Sequence, residues 1–189
     1  MSFAEEKKAA LKKMKEGDKS NIGKVDEPIR ELVDKINQKP NYYTTSSCAG
    51  RIVLIKIPDS GKKLGSEFVF RTHNKVKVSN VKKALQGYAD KKAIWFRMQS
   101  PILYVACKTI QDADRFLRLC RPLGFKRSGL FELSNKYVME VLATESMDAI
   151  VAKNKEILVS DVYLKVLVDE ANRKLKTVRI KINKLNSEL

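Results

Sequence analysis

Residues 44–57 read TTSSCAGRIVLIKI, and the reading of this stretch decides how the chain is organised. Its second half, Ile52 to Ile57, is apolar apart from Lys56 and rich in β-branched side chains, which predicts a strand. Its first half, Thr44 to Arg51, crowds threonines, serines, a cysteine and a glycine together just before that strand. Hydroxyl and backbone donors are in excess there, glycine permits an unusual φ or a close backbone approach, and the planar fork of Arg51 matches a carboxylate or phosphate. Composition leaves two readings open: a binding loop, or an ordinary turn leading into a strand.

Outward from this stretch short strands and helices follow one another without a regular order. Downstream, Pro58 to Gly65 is a turn-rich connection to a second strand, Glu67 to Arg71, with His73 at its end. Hairpin pairing of the two strands brings His73 back alongside Arg51. A short helix over Ser79 to Tyr88 precedes strands at Ala93 to Met98 and Ile102 to Cys107, joined by the Gln99-Ser100-Pro101 turn. Thr109 begins a helix with Ala113, Phe116, Leu117 and Cys120 at core-facing spacing, closed by Pro122 and Gly124. A meander follows over Arg127 to Leu133, Lys136 to Leu142 and Asp148 to Lys153, with Ser134-Asn135 as a tight turn. Ser160 caps a last helix reaching toward Leu189, whose apolar stripe runs from Leu164 through Val168, Ala171, Leu175, Val178 and Ile182 to Leu185.

Upstream, Ser2 to Glu16 is helix-prone with a thin apolar stripe suited to peripheral docking, and Gly17 to Val25 breaks the pattern. Asp26 offers an N-cap to a helix bearing Ile29, Leu32, Val33 and Ile36, and Pro40 ends it. Residues 1–24 read as an N-terminal helical extension and linker, and residues 25–189 as one domain. The strands do not alternate regularly with long helices, and no GxGxxG follows an early strand. The expected architecture is therefore α+β, a single domain with a mixed β-sheet, flanking helices and a long C-terminal helix, not a doubly wound Rossmann fold.

The chain has 189 residues with a net charge of +16 and a sequence pI near 9.8, which points to a polyanionic partner, nucleic acid first. No apolar run is long enough to span a bilayer and no signal-peptide pattern opens the chain, so a soluble, cytoplasmic protein with no membrane partner is expected. Cys48, Cys107 and Cys120 form no CxxC pair and His73 is the sole histidine, which supports reduced thiols and no metal site. The final helix carries Lys165, Arg173, Lys174, Lys176, Arg179, Lys181 and Lys184 on its polar face. That face is either solvated or a phosphate-tracking rail, and Lys174, Lys181 and Lys184 are the candidates for RNA contact.

Tyr43 to Ile52, YTTSSCAGRI, resembles the signature of the wybutosine-synthesis N4-methyltransferase family, the third of the tRNA wybutosine-synthesising proteins of archaea and eukaryotes. Further matches follow in order at Thr72-His73, at Pro101 to Val105 and at Gly124-Phe125-Lys126-Arg127-Ser128-Gly129. The resemblance covers the chain from about Val25 to the C-terminal helix. It implies S-adenosylmethionine as methyl donor and transfer to N4 of 7-(3-amino-3-carboxypropyl)-4-demethylwyosine at position 37 of phenylalanine tRNA, a step of wybutosine-derivative biosynthesis.

Because the sulfonium donor is already electrophilic, such an enzyme must hold donor and acceptor in line and remove a proton from the nitrogen. His73 is the candidate base, or the group that orients the purine edge. Ser46, Ser47 and the Gly50 backbone are candidates to cradle a carboxylate or phosphate, and Arg51 to clamp the carboxylate of the methionine or of the substrate tail. Ser128 and Gly129 match a family block and read as another wall of a pocket, or as turn chemistry. The resemblance implies a histidine at the place where Tyr104 stands. Trp95 reads as core, with base stacking the other reading. The competing class is a non-enzymatic basic RNA-binding protein, for which charge alone would suffice but which would not need the compact Ser-Ser-Cys-x-Gly-Arg cluster.

Overall fold

A computed structural model describes residues 2–16, 25–58, 65–134 and 136–189. The expected breaks at 17–24 and 59–64 and the Asn135 half of the Ser134-Asn135 turn lie outside the described residues. The elements run α1 (Phe3–Glu16), α2 (Arg30–Gln38), β1 (Tyr42–Cys48), β2 (Arg51–Ile57), β3 (Glu67–Thr72), α3 (Val78–Leu85), β4 (Ala93–Gln99), β5 (Ile102–Cys107), α4 (Ile110–Cys120), β6 (Gly129–Glu132), β7 (Tyr137–Leu142), β8 (Met147–Lys153), β9 (Glu156–Ile157) and α5 (Asp161–Glu188). The α+β class and the long C-terminal helix are as expected. The expected single mixed sheet is replaced by two sheets, ordered β1-β5-β7-β6 and β3-β2-β4-β8-β9, and each pairing is antiparallel.

The decisive stretch is not a loop. Tyr42 to Cys48 pairs with β5 from Tyr42↔Cys107 to Cys48↔Ile102, with a bulge between Thr44 and Ser46. The tyrosines and threonines favour extended backbone, and only Ala49 and Gly50 separate β1 from β2.

The chain divides into two compact units. One comprises Met1–Ala49, Pro101–Thr144 and Val178–Leu189, and the other Gly50–Ser100 and Glu145–Thr177. In the first, alternation along β1 sends Tyr42 and Tyr43 to opposite faces of the four-stranded sheet. Tyr43 joins Ala106 and Val138 under Phe3 and Ala10 of α1, and its hydroxyl donates to Glu6 at 3.1 Å. The N-terminal helix thus docks through an aromatic contact, with the Phe3 and Tyr43 rings 5.2 Å apart. On the other face Tyr42 stacks against Phe116 of α4 at 5.1 Å and donates to the Asp112 carbonyl at 3.1 Å. Thr109 caps α4 as expected, accepting from the Asp112 N–H at 3.1 Å. Asp26 does not cap α2: a 3-10 turn at Glu27–Ile29 intervenes, and the carboxylate instead accepts the Ala49 N–H at 2.8 Å.

In the second unit, β2 pairs with β3 and with β4. Ile52 and Leu54 with Ile94, Phe96 and Met98 form a buried face, while Arg51, Ile55, Trp95, Arg97 and Gln99 alternate onto the opposite one. The helical stripe is buried as read, from Leu164 to Leu175 in this unit and from Val178 to Leu185 in the first, and Ser160 caps α5 through the Tyr163 N–H at 3.2 Å. The side chain of Asn172 grips the Val76 backbone through both its amide groups, at 2.9 and 2.8 Å. The β8–β9 hairpin escaped sequence reading because its turn is Asn154-Lys155, at φ 51° and 68°, rather than an Asn-Gly pair. Two backbone bonds hold it, Asn154 to the Lys91 carbonyl and Lys155 to the Asp90 carbonyl.

Candidate functional site

In the second unit the β2–β3 register ends at Ile52↔Thr72, so the next residues outward, Arg51 and His73, come to the same end of the pair. The ring Nδ1 of His73 lies 3.0 Å from the Gly50 carbonyl. The approach inferred from hairpin pairing is therefore present. Gly50 itself sits at φ 81°, a conformation that only glycine adopts without strain. A partner that sequence reading took only for a turn residue is Gln99: the register Arg51↔Gln99 sets its Oε1 2.6 Å from the Arg51 Nε. The guanidinium carbon also lies 5.0 Å from the centre of the Phe68 ring. With Nε engaged and one face on a ring, the fork is held in a fixed plane with its terminal nitrogens available to a planar anion.

In the first unit, Thr44 is buried and clasped by Asn37, whose Oδ1 accepts the Thr44 N–H at 2.8 Å and whose amide donates to Oγ1 at 3.1 Å. Ser46 is exposed and Ser47 half-buried, lying opposite Tyr104 and Leu103 of β5. The Ala49 peptide is held on both sides, its N–H by Asp26 and its carbonyl by Arg179. Burial pulls the Arg179 guanidinium below its usual range, against the opposing pull of Cys48 and Asp26. Sequence reading placed Arg179 on a polar helix face; nothing local in the sequence pairs it with a residue 130 positions away. Ser128 is buried, with Oγ accepting the Leu142 N–H at 3.0 Å and its carbonyl accepting from Arg121 at 3.2 Å. It fastens the turn that follows α4 onto β7, and Gly129 opens β6 beside it.

The basic residues differ in what they touch. Lys174 lies 3.5 Å from Glu170, which also accepts from Nε and Nη2 of Arg173 at 2.6 and 2.7 Å; the Arg173 hydrogen bonds first, with both cations' charge, hold the Glu170 carboxyl down at about 2. Lys181 donates to the Gly124 carbonyl at 3.1 Å, and Lys184 is exposed. A cleft beside α1 adds Lys7, Lys8, Lys12 and Lys108. Tyr104 donates to Glu140 at 2.7 Å; that hydrogen bond, first, and partial burial raise its phenol. Among the described residues no helix is long and apolar enough to cross a membrane.

The fold has solved counterparts. A Pyrococcus horikoshii protein superimposes with a TM-score of 0.91 at 36% identity, covering 99% of this chain and 95% of that one. An Aeropyrum pernix protein gives 0.74 at 25% identity, over 86% and 96%. The family described as Methyltransferase TYW3 matches residues 5–189. The chain belongs to this family. Among its relatives, a Thermococcus sibiricus protein is 38% identical over 189 residues, 100% of this chain and 94% of its own. A Pyrococcus abyssi protein is 38% identical over 168 residues, 88% of this chain and 86% of its own. Both are named tRNA(Phe) 7-((3-amino-3-carboxypropyl)-4-demethylwyosine(37)-N(4))-methyltransferases. As a member of the TYW3 methyltransferase family the protein acts with a methyl donor, and its YTTSSCAGRI stretch runs along β1 into β2.

Proposed function

We propose that this protein is an S-adenosylmethionine-dependent methyltransferase of the cytoplasm. It methylates N4 of 7-(3-amino-3-carboxypropyl)-4-demethylwyosine at position 37 of tRNA(Phe), the substrate named for its relatives. The observation that carries this reading is the full-length match to the Thermococcus sibiricus enzyme. We assign the activity to residues 25–189, with 1–24 an extension and linker.

The donor supplies an electrophilic methyl group and carries a carboxylate. Arg51, its plane fixed by Gln99 and Phe68, fits a planar carboxylate, from the donor or from the substrate tail. Gly50, at φ 81° beside it, lets ligand atoms approach backbone closely. His73 takes the proton from the acceptor nitrogen. A carbonyl only accepts hydrogen bonds, so Nδ1 is the donor in the contact that holds the ring against Gly50. The net charge of +16, with Lys174, Lys181 and Lys184 among its carriers, draws in the RNA phosphates.

Transfer of labelled methyl from S-adenosylmethionine to tRNA(Phe) carrying the demethylated precursor tests the reading. One methyl per precursor-bearing tRNA is expected, with no incorporation into tRNA lacking that base. Tight RNA binding without any methyl transfer would overturn it in favour of a non-enzymatic RNA-binding protein.

A further inference from the structure

The outward face of the five-stranded sheet carries more than the Arg51 clamp and its Phe68 support need: Arg71, Trp95 and Arg97 stand beside them with no part in the methyl transfer. On β3, Phe68 is 41% exposed, and two guanidiniums approach its ring: Arg51 at 5.0 Å and Arg71 at 5.2 Å. One strand across, on β4, the Arg97 guanidinium lies 4.9 Å from the ring of half-buried Trp95. The registers Val53↔Arg71 and Val53↔Arg97 put Arg71 and Arg97 on either side of one β2 position, so their side chains share a face. Ile55 likewise sits between Phe68 and Trp95. The result is two aromatic–arginine pairs side by side on one pleated surface. Against these three arginines stands Asp148, which faces Arg97 across β4 and β8 at 3.4 Å.

We propose that this face is a stacking platform for unpaired nucleotides of the RNA substrate, an inference that rests on the RNA reading above. Rings and guanidinium planes offer flat π surfaces to bases, and the arginines meet the intervening phosphates. A duplex keeps its bases in the stack, so the platform selects single-stranded segments such as an exposed loop. Pure phosphate attraction would need neither ring, and lysine would serve it as well as arginine. An acidic protein partner would meet the charge but leave the rings with nothing to stack on.

The test compares parent, Phe68→Leu and Arg71→Gln for binding to a short uridine-rich single strand, to an RNA duplex of equal charge and to tRNA, by fluorescence anisotropy across a salt series. Phe68→Leu removes a stacking ring while keeping apolar volume, so single-strand affinity falls roughly 5- to 100-fold with an unchanged salt slope. Arg71→Gln lowers the slope by about one, and as an exposed residue it reports on the face even if Phe68→Leu loses stability by melting. Unchanged single-strand binding in both variants overturns the platform. So does an equal loss for the duplex, or displacement of the strand by polyglutamate at equal charge. A parent protein that transfers methyl normally while the variants bind like it removes the platform and leaves the function standing. A parent that binds no RNA removes both.

Discussion

His73 Nδ1 stands 3.0 Å from the carbonyl oxygen of Gly50, one residue before Arg51, so the backbone that leads into β2 also holds the imidazole in place. A ring held in place this way suits the proposed proton transfer, because it does not have to be positioned anew in each turnover. His73→Ala is expected to lower the single-turnover methyl-transfer rate by roughly 10²- to 10⁴-fold while tRNA affinity changes only a few-fold. Recovery of the rate at high tRNA concentration would assign His73 to binding instead.

Arg51 is held by Gln99 through its Nε at 2.6 Å, a geometry that an ammonium cannot reproduce. Arg51→Lys should therefore lose roughly 10- to 100-fold in kcat/KM despite keeping its charge, and Gln99→Leu should lose less, because it frees the fork without removing it. Steady-state kinetics on precursor tRNA decide this. Equal turnover by Arg51→Lys and the parent would show that the fork clamps nothing.

Stability should decline at alkaline pH. Burial pushes the Tyr42 and Tyr43 phenols up to about 12 and likewise the Cys107 and Cys120 thiols. The folded state thus holds protons that the unfolded chain releases near its ordinary values, about 8.5 for thiols and 10 for phenols. The stability they confer is complete below those values and is lost as pH climbs toward 12. Urea midpoints that stay level between pH 7 and 11 would contradict this. At pH 8, iodoacetamide should modify half-buried Cys48 and spare the two buried thiols, a pattern that mass spectrometry reads directly.

Gly124 sits at φ 100°, and a β-carbon there would lie 2.5 Å from Lys181 Cε. Gly124→Ala should cost about 1–3 kcal/mol through backbone strain, with a further loss from displacing Lys181. Adding Lys181→Ala relieves the collision but not the φ, so the double variant should recover only part of the melting temperature. Full recovery would mean that the backbone there is unstrained.

Lys184 is exposed, whereas Lys174 shares Glu170 with Arg173. Lys184→Ala should therefore reduce the salt slope of tRNA binding by about one, Lys174→Ala should reduce it less, and neutralising Lys174, Lys181 and Lys184 together should flatten it most. A slope unaffected by the triple change would place the phosphates on another surface.

The sequence by itself determined the elements whose signal is local. The β-branched run from Ile52 to Ile57, the Thr109 start of α4 and the stripe from Leu164 to Leu185, which repeats at the helical period, appear where they were read. It also determined the approach of His73 to the start of β2, because one hairpin register fixes both. The tertiary structure decided that Tyr42 to Cys48 is a strand: its tyrosines and threonines allow extended backbone, but YYTTSSC has no apolar period and its partner Ile102 to Cys107 lies far along the chain. The division of the strands into two sheets, the grip of Gln99 on Arg51 across 48 positions and the hold of Arg179 on Ala49 were decided the same way. Hydrogen bonds between distant segments follow from which strands become neighbours and which side chains the packed core brings together, and neither is written in the periodicity of any one segment.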